Sequence, residues 1–259
     1  MKSRQHLVIP DCQVKPGVPL QHLEWAGKYI AEKRPDVIVC IGDFADMESL
    51  CSYDKGKRQF EGRRYEKDIE AAYRGMEFLT DPFTKLRGYK PKMVLTLGNH
   101  EQRIIRAVDN DATLEGWIGL SDLDYQHWGW NVKDFLEPVV IDGVHYSHYF
   151  PSGPKDLPCK TPRKILSEFH VSAVAGHTPG RDIAYAKRGD GGRLAAIIAG
   201  SFYQHDEKYA SWYTNKCWRG LVVLHQVNDG QFDEMFVSLD YLKQKFRKSR
   251  KNVTRKKAA

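Results

Sequence analysis

Five short apolar runs in this chain end on the same kinds of residue. "HLVIP" runs into Asp11 and Gln13. "DVIVCI" gives way to Gly42, Asp43 and Asp46. "MVLTL" stops at Gly98, Asn99, His100 and Glu101. "GVHYS" is followed by His148, and "VSAVA" by Gly176 and His177. The runs are rich in β-branched residues and too short for buried helices, so they read as strands. A strand that breaks into carboxylate, amide or imidazole just past its C-terminal end resembles the rim of a site. Open α/β sheets bind ligands at that edge.

Between the first runs lie helical patterns. Leu20, Leu23, Ala26, Gly27 and Ile30 recur at helical spacing over 20–33, behind Pro19. Ile69, Ala72, Tyr73 and Met76 mark a helix within 65–80. The second half is richer in strands. Asp142-Gly143 is a turn with a strand on each side, "LAAIIAGS" is another strand, and Asn228-Asp229-Gly230 closes a hairpin. The order β-α-β-α-β followed by more strands predicts an α/β (α+β) domain: two mixed β-sheets packed together and flanked by helices. The 259 residues can bury a core of that size without staples. Residues 1–242 form the domain, and 47–67 read as a basic insertion over one end of the sheet. Trp117, Trp128 and Trp130 read as packing residues.

Five cysteines are widely spaced, with no C-x-x-C, which fits a reducing, cytoplasmic setting and argues against a disulfide framework or a structural zinc site. No apolar run is long enough for a membrane span. Residues 243–257 hold nine Lys or Arg and no acid. The total net charge is +7, so the remainder carries −2. The stretch 243–259 therefore reads as a basic, unstructured tail suited to polyanions such as nucleic acid, or simply to solubility.

The ligand types are oxygen and imidazole donors, suited to Mn²⁺, Mg²⁺, Fe or Zn²⁺. Glycine before Asp43, Asn99 and His177 permits a sharp exit from each strand. The ordered series D-x-Q, G-D-x-x-D, G-N-H-E, H, G-H resembles the calcineurin-like metallophosphoesterase superfamily, from Asp11 to about Ser201. The segment "SYDKGKRQFEGRRYEKDI" resembles the version found in tailed-phage and prophage genomes, which would place the protein in a host cytoplasm.

The resemblance implies a four-layer αββα sandwich carrying two divalent metal ions. One site would take Asp43, Asn99, His148 and His177. The other would take Asp11, Asp43 and Gln13, where the family has a histidine at position 13 and another at position 179. Gln13 is a weaker ligand, and Pro179 has no donor, so this site is expected to bind weakly or stay empty unless His205 substitutes. His100 is expected to serve the leaving group and Asp46 to orient it. Arg103 and Arg64 are expected to meet substrate phosphate, with Arg63 an outer candidate. The implied reaction is hydrolysis of phosphate esters, phosphodiesters above all, by an activated water. Two alternatives stay open: a serine/threonine-type protein phosphatase, and a non-catalytic nucleic-acid binder with a degraded first metal site. For each residue alone there is also a plain structural role. Asp11, Asp43 and Asp46 suit turns after strands, and Asn99 suits a left-handed position.

Overall fold

The computed structural model describes residues 3–207 and 210–247. Thirteen strands run in the order β1 (Arg4–Ile9), β2 (Val37–Cys40), β3 (Lys92–Thr96), β4 (Asn131–Lys133), β5 (Val139–Ile141), β6 (Val144–Ser147), β7 (Pro151–Ser152), β8 (Leu157–Pro158), β9 (Ser172–Ala175), β10 (Asp182–Lys187), β11 (Arg193–Ile198), β12 (Gly220–Asn228) and β13 (Gln231–Ser238). Five α-helices have both ends among the described residues: α1 (Gln21–Lys33), α2 (Tyr65–Thr84), α3 (Gln102–Asn110), α4 (Pro162–Phe169) and the short α5 (Trp212–Asn215). One sheet has the order β13-β12-β1-β2-β3-β4 and the other β10-β11-β9-β6-β5. A separate β7-β8 pair makes a small hairpin. Both large sheets are mixed: β1, β2, β3 and β4 are parallel, as are β6, β9 and β11, and the remaining neighbours are antiparallel.

Period-two alternation builds the layers. Leu7, Ile9, Ile38, Cys40 and Leu95 face outward onto α1 and α2, where Leu23, Ile30, Met76 and Leu79 are buried against them. Their neighbours Val8, Val37, Val39 and Val94 face the second sheet and meet Val144, Tyr146, Val174 and Ile197. On the far side of the second sheet, Ala173, Ala175, Ala196 and Ile198 pack under Ile165 and Leu166 of α4. The result is a four-layer αββα sandwich, as expected.

Several local details depart from the sequence reading. α2 runs on to Thr84, through Pro82, rather than ending near 80. Pro82 packs where Gly27 of α1 leaves no room for a side chain, so the two helices approach closely there. Trp130 is buried, but Trp117 is 82% exposed and so is no core residue. The insertion 47–67 forms three 3₁₀ turns, at Glu48–Leu50, Ser52–Asp54 and Arg58–Phe60, and then enters α2. The basic stretch is helical over 239–247, and Lys245 meets Glu32 of α1 at 2.6 Å. The rest of the expected tail, 248–259, lies outside the described residues.

Candidate metal centre

Parallel pairing in both sheets brings the C-terminal ends of β1, β2, β3, β6, β9 and β11 to one edge. The loops there are tied together by backbone bonds. Gln13 N–H donates to Asp43 O at 2.8 Å, Asp46 N–H to Val14 O at 2.8 Å, Phe202 N–H to Asp11 O at 2.8 Å and Gly176 N–H to His148 O at 2.9 Å. Asp43 (φ 48°), His177 (φ 63°), Gln13 (φ 44°) and Met47 (φ 51°) all adopt left-handed conformations. Such conformations are disfavoured for side-chain-bearing residues and concentrate at functional sites.

The expected role of the three glycines is corrected in part. Gly42 has a positive φ of 86° and does turn the chain. Gly98 and Gly176 serve instead to make space: a Cβ at Gly98 would collide with the Asp43 carboxylate, and one at Gly176 with Asp11 Oδ1.

Asp43, His148 and His177 each place one ligand atom within 4.8 Å of the others. Asn99 joins them, its Oδ1 lying 2.9 Å from His148 Nε2 and 2.8 Å from His177 Nδ1. The two imidazole nitrogens are themselves only 3.3 Å apart. His148 Nδ1–H donates to the carbonyl of Ile41 at 2.9 Å. That contact fixes the ring so that Nε2 faces the centre, the support metal-ligating histidines usually have. His145 contributes no atom to this group.

Charge follows the same geometry. Burial disfavours ionised Asp43, but His100 and His148 outweigh burial and hold its pKa below the ordinary carboxylate value. Burial also opposes a cationic His148, yet Asp43 and then Asp11 raise its pKa to about 10. Burial and the neighbouring His148 lower His177 to about 4. His177 is thus a neutral imidazole at pH 7, and a cation at the centre would take the place of the His148 proton.

Asp11 is buried, and both its oxygens lie 3.1 Å from the backbone N–H of His177. It stands apart from the Asp–His–His group, 3.9 Å from His148 Nδ1. Gln13 is buried, with its backbone against Asp43. His205, the expected stand-in for an imidazole at this position, is not part of the Asp43–His148–His177 group. Its Nε2 is 2.6 Å from Glu207 and its ring stacks on Tyr203.

His100 lies beside the group, 7% exposed. Its backbone N–H donates to Asp43 Oδ1 at 2.9 Å. Its Nδ1 is 2.9 Å from Asp46 Oδ1, an ion-pair contact off the ideal hydrogen-bond line, and its Nε2 is 3.7 Å from Asp43 Oδ2. Burial would lower the His100 pKa, but Asp43 and Asp46 together raise it. Arg103 Nη1 donates to Asp46 Oδ1 at 2.9 Å and to Asp46 O at 2.7 Å. Arg63 is held by Asp54 and Glu48. A cleft of about 950 Å³ opens over His100, Asn99 and Arg103 and is walled by Tyr53, Lys57, Arg63, Arg64 and Lys67 of the insertion.

Three residues at this edge were not given roles from sequence. Glu101, fully buried, accepts from the backbone N–H of Asp43, Ala45 and Gly98 at 2.9–3.1 Å and from Tyr125 Oη at 3.2 Å. It staples the loops after β2 and β3 together. Its place next to His100 was the only signal. Lys15 and Glu207 meet across the cleft wall, and no sequence pattern pairs them.

All five cysteines are unpaired, and among the described residues no helix is long and apolar enough to cross a membrane. No family model and no curated protein matches this chain. Among solved structures, one crystal structure, 13% identical, covers 92% of this chain and 99% of its own at a TM-score of 0.43. GAP50, the anchor in the inner membrane complex of Plasmodium, is 11% identical and covers 92% of this chain and 85% of its own at 0.38. At those scores neither likeness bears on function.

Proposed function

We propose that this chain is a metal-dependent phosphoesterase of the calcineurin-like kind that hydrolyses phosphodiesters. The observation that carries the reading is the convergence of Asp43, Asn99, His148 and His177 beside a buried His100 that is paired with Asp46. The donor set fits a borderline divalent cation such as Mn²⁺, Fe or Zn²⁺. Asp43, Asn99, His148 and His177 would hold one ion firmly. Asp11, Gln13 and Asp43 would hold a second, or Mg²⁺, more weakly, because they include no imidazole. When bound, such ions supply Lewis-acid charge and activate a water for attack on phosphorus.

The chain's own residues do the rest. His100 keeps a proton, favoured by two carboxylates, and offers it from Nε2 to the departing oxygen. Asp46 holds the other ring nitrogen. Asn99 and His100 line the cleft floor, so the ester must lie across both. Arg64 is the cleft cation without an ion-pair partner among the described residues. Lys15, Arg63 and Arg103 are occupied by carboxylates, and Lys57 and Lys67 stand near Asp54 and Glu70. Arg64 is therefore the phosphate contact the cleft offers most freely, with Arg103 behind it. A cleft whose cations are mostly neutralised suits one phosphate group at a time. Attraction to nucleic acid would have to come from the basic C-terminal stretch.

The test is turnover by purified protein with Mn²⁺ or Mg²⁺ on a chromogenic phosphodiester, a phosphomonoester, a phosphopeptide and single-stranded DNA. The expected result is diester hydrolysis, lowered by His100→Ala least on the chromogenic ester and up to ~10²–10⁴-fold where the leaving oxygen is most basic. Cleavage of phosphopeptide alone would favour a protein phosphatase. Binding of DNA without turnover under any metal would favour a non-catalytic binder.

A further inference from the structure

A chain of buried charges leads away from His100 through residues that touch neither the metal group nor the departing oxygen. Lys15 Nζ lies 2.8 Å from Asp46 Oδ2 and 2.7 and 2.6 Å from the two oxygens of Glu207. The Lys15 side chain is 12% exposed, and those of Asp46 and Glu207 are each 3% exposed. Glu207 also takes His205 Nε2 at 2.6 Å. Its backbone is clamped by Asn215, which accepts from Glu207 N–H at 2.9 Å and donates to Glu207 O at 3.0 Å. Lys15 follows β1, and Glu207 comes from the segment after β11, so the chain of contacts ties together the ends of the two sheets.

Buried ion pairs are weak contributors to stability, because desolvation offsets their attraction. An apolar pair would serve the fold about as well, so this one calls for another explanation. Asp46 supplies it. Its Oδ1 is shared by His100 and Arg103, and its Oδ2 has Lys15. A carboxylate loaded on one oxygen only could rotate toward Arg103 and release the imidazole. Lys15 on the second oxygen fixes the carboxylate plane, and Glu207, on the same cleft wall, holds the Lys15 ammonium in place.

We propose that Lys15 and Glu207 are positioning residues that brace Asp46, and through it His100, for proton donation. The role rests on the phosphoesterase reading. It predicts that losing the brace matters in proportion to how much the leaving group needs a proton.

The test uses the full chain with Mn²⁺ and a series of aryl methyl phosphodiesters from p-nitrophenyl to phenyl. Lys15→Met and Glu207→Gln should each change kcat by no more than about threefold on the p-nitrophenyl ester, and lower it roughly 10–100-fold on the phenyl ester, as a partial loss of general-acid help would. His100→Ala should steepen the series in the same sense. An equal loss along the whole series, or none, would overturn the brace. A second readout needs no turnover. In ring ¹H–¹⁵N spectra of the metal-free protein, both variants should shift the His100 signals and leave those of His6 unmoved. Unchanged His100 signals would also overturn the proposal. Should the wild type hydrolyse no member of the series, the phosphoesterase reading falls, and the ring spectra alone decide whether Lys15 and Glu207 brace His100.

Discussion

Both ends of the sandwich join the two sheets through histidine and carboxylate, but they use those groups differently. At the edge where β1 and β6 begin, His6 Nδ1 meets Tyr146 Oη at 2.6 Å and His6 Nε2 meets Asp142 Oδ2 at 2.8 Å. Asp142 also takes a two-pronged Arg4 at 2.6 and 2.5 Å. Each ring nitrogen there has a protein partner of the right kind. At the opposite edge, His148 Nε2 and His177 Nδ1 face each other and the same Asn99 oxygen, with Asp43 beside them. Once the His148 proton leaves, two lone pairs, an amide oxygen and a carboxylate oxygen are aimed at one point, poor partners for one another and good partners for a cation. The first cluster satisfies its own polar groups, and the second offers a donor set that could hold a metal ion.

The largest expected effect separates the two. His177→Ala should abolish tight Mn²⁺ binding and reduce diester turnover to background while moving the metal-free melting temperature little. Calorimetric titration and a thermal melt on the same sample check this. Mn²⁺ at about one hundred times its dissociation constant should stabilise the wild type by ~2.7 kcal/mol and leave His177→Ala unmoved. A melt shift of similar size in both would show that the ion binds elsewhere.

At the other end the pattern reverses. Tyr146→Phe strands His6 Nδ1 in a site where His6 is fully buried. It should lower stability by about 1–3 kcal/mol and leave Mn²⁺ affinity and turnover as they were, as read by urea unfolding and titration. The smallest effect concerns pH. Burial opposes ionised Asp142, but Arg4 and His6 outweigh it and depress its pKa. A depressed carboxylate pKa stabilises the fold above the unfolded value, and that stability is lost as pH falls through the folded one. Asp142→Asn should therefore remove roughly 1 kcal/mol of stability at neutral pH and flatten the acid limb of a stability–pH curve. Metal affinity should move the same way for a different reason. It should weaken as pH falls, because the ion must displace the proton on His148.

The edge where Asp43, Asn99, His148 and His177 gather was legible because hydrophobic periodicity stops abruptly wherever a strand ends, and these residues sit at those stops. The layers were legible for the same reason: Val8 and Ile9 already alternate between the two faces of one sheet. What stayed hidden depends on contacts between distant segments. Glu101 acts on backbone amides of its own loop and of the loop after β2, about sixty residues away in sequence. Lys15 and Glu207, 192 residues apart, are joined only by the fold. The reach of α2 past residue 80 was hidden because Pro82 ordinarily ends a helix, and here close packing on Gly27 holds it. His205 looked available from sequence, yet Glu207 takes it.

The central claim is that four side chains from four separate loops grip one divalent ion. Anomalous diffraction from crystals grown with Mn²⁺ tests it most directly. The account predicts a strong peak about 2–2.4 Å from one donor atom each of Asp43, Asn99, His148 and His177, with any second peak near Asp11 and Gln13 weaker. No peak among those residues at millimolar Mn²⁺, or a peak held by other side chains, would contradict it.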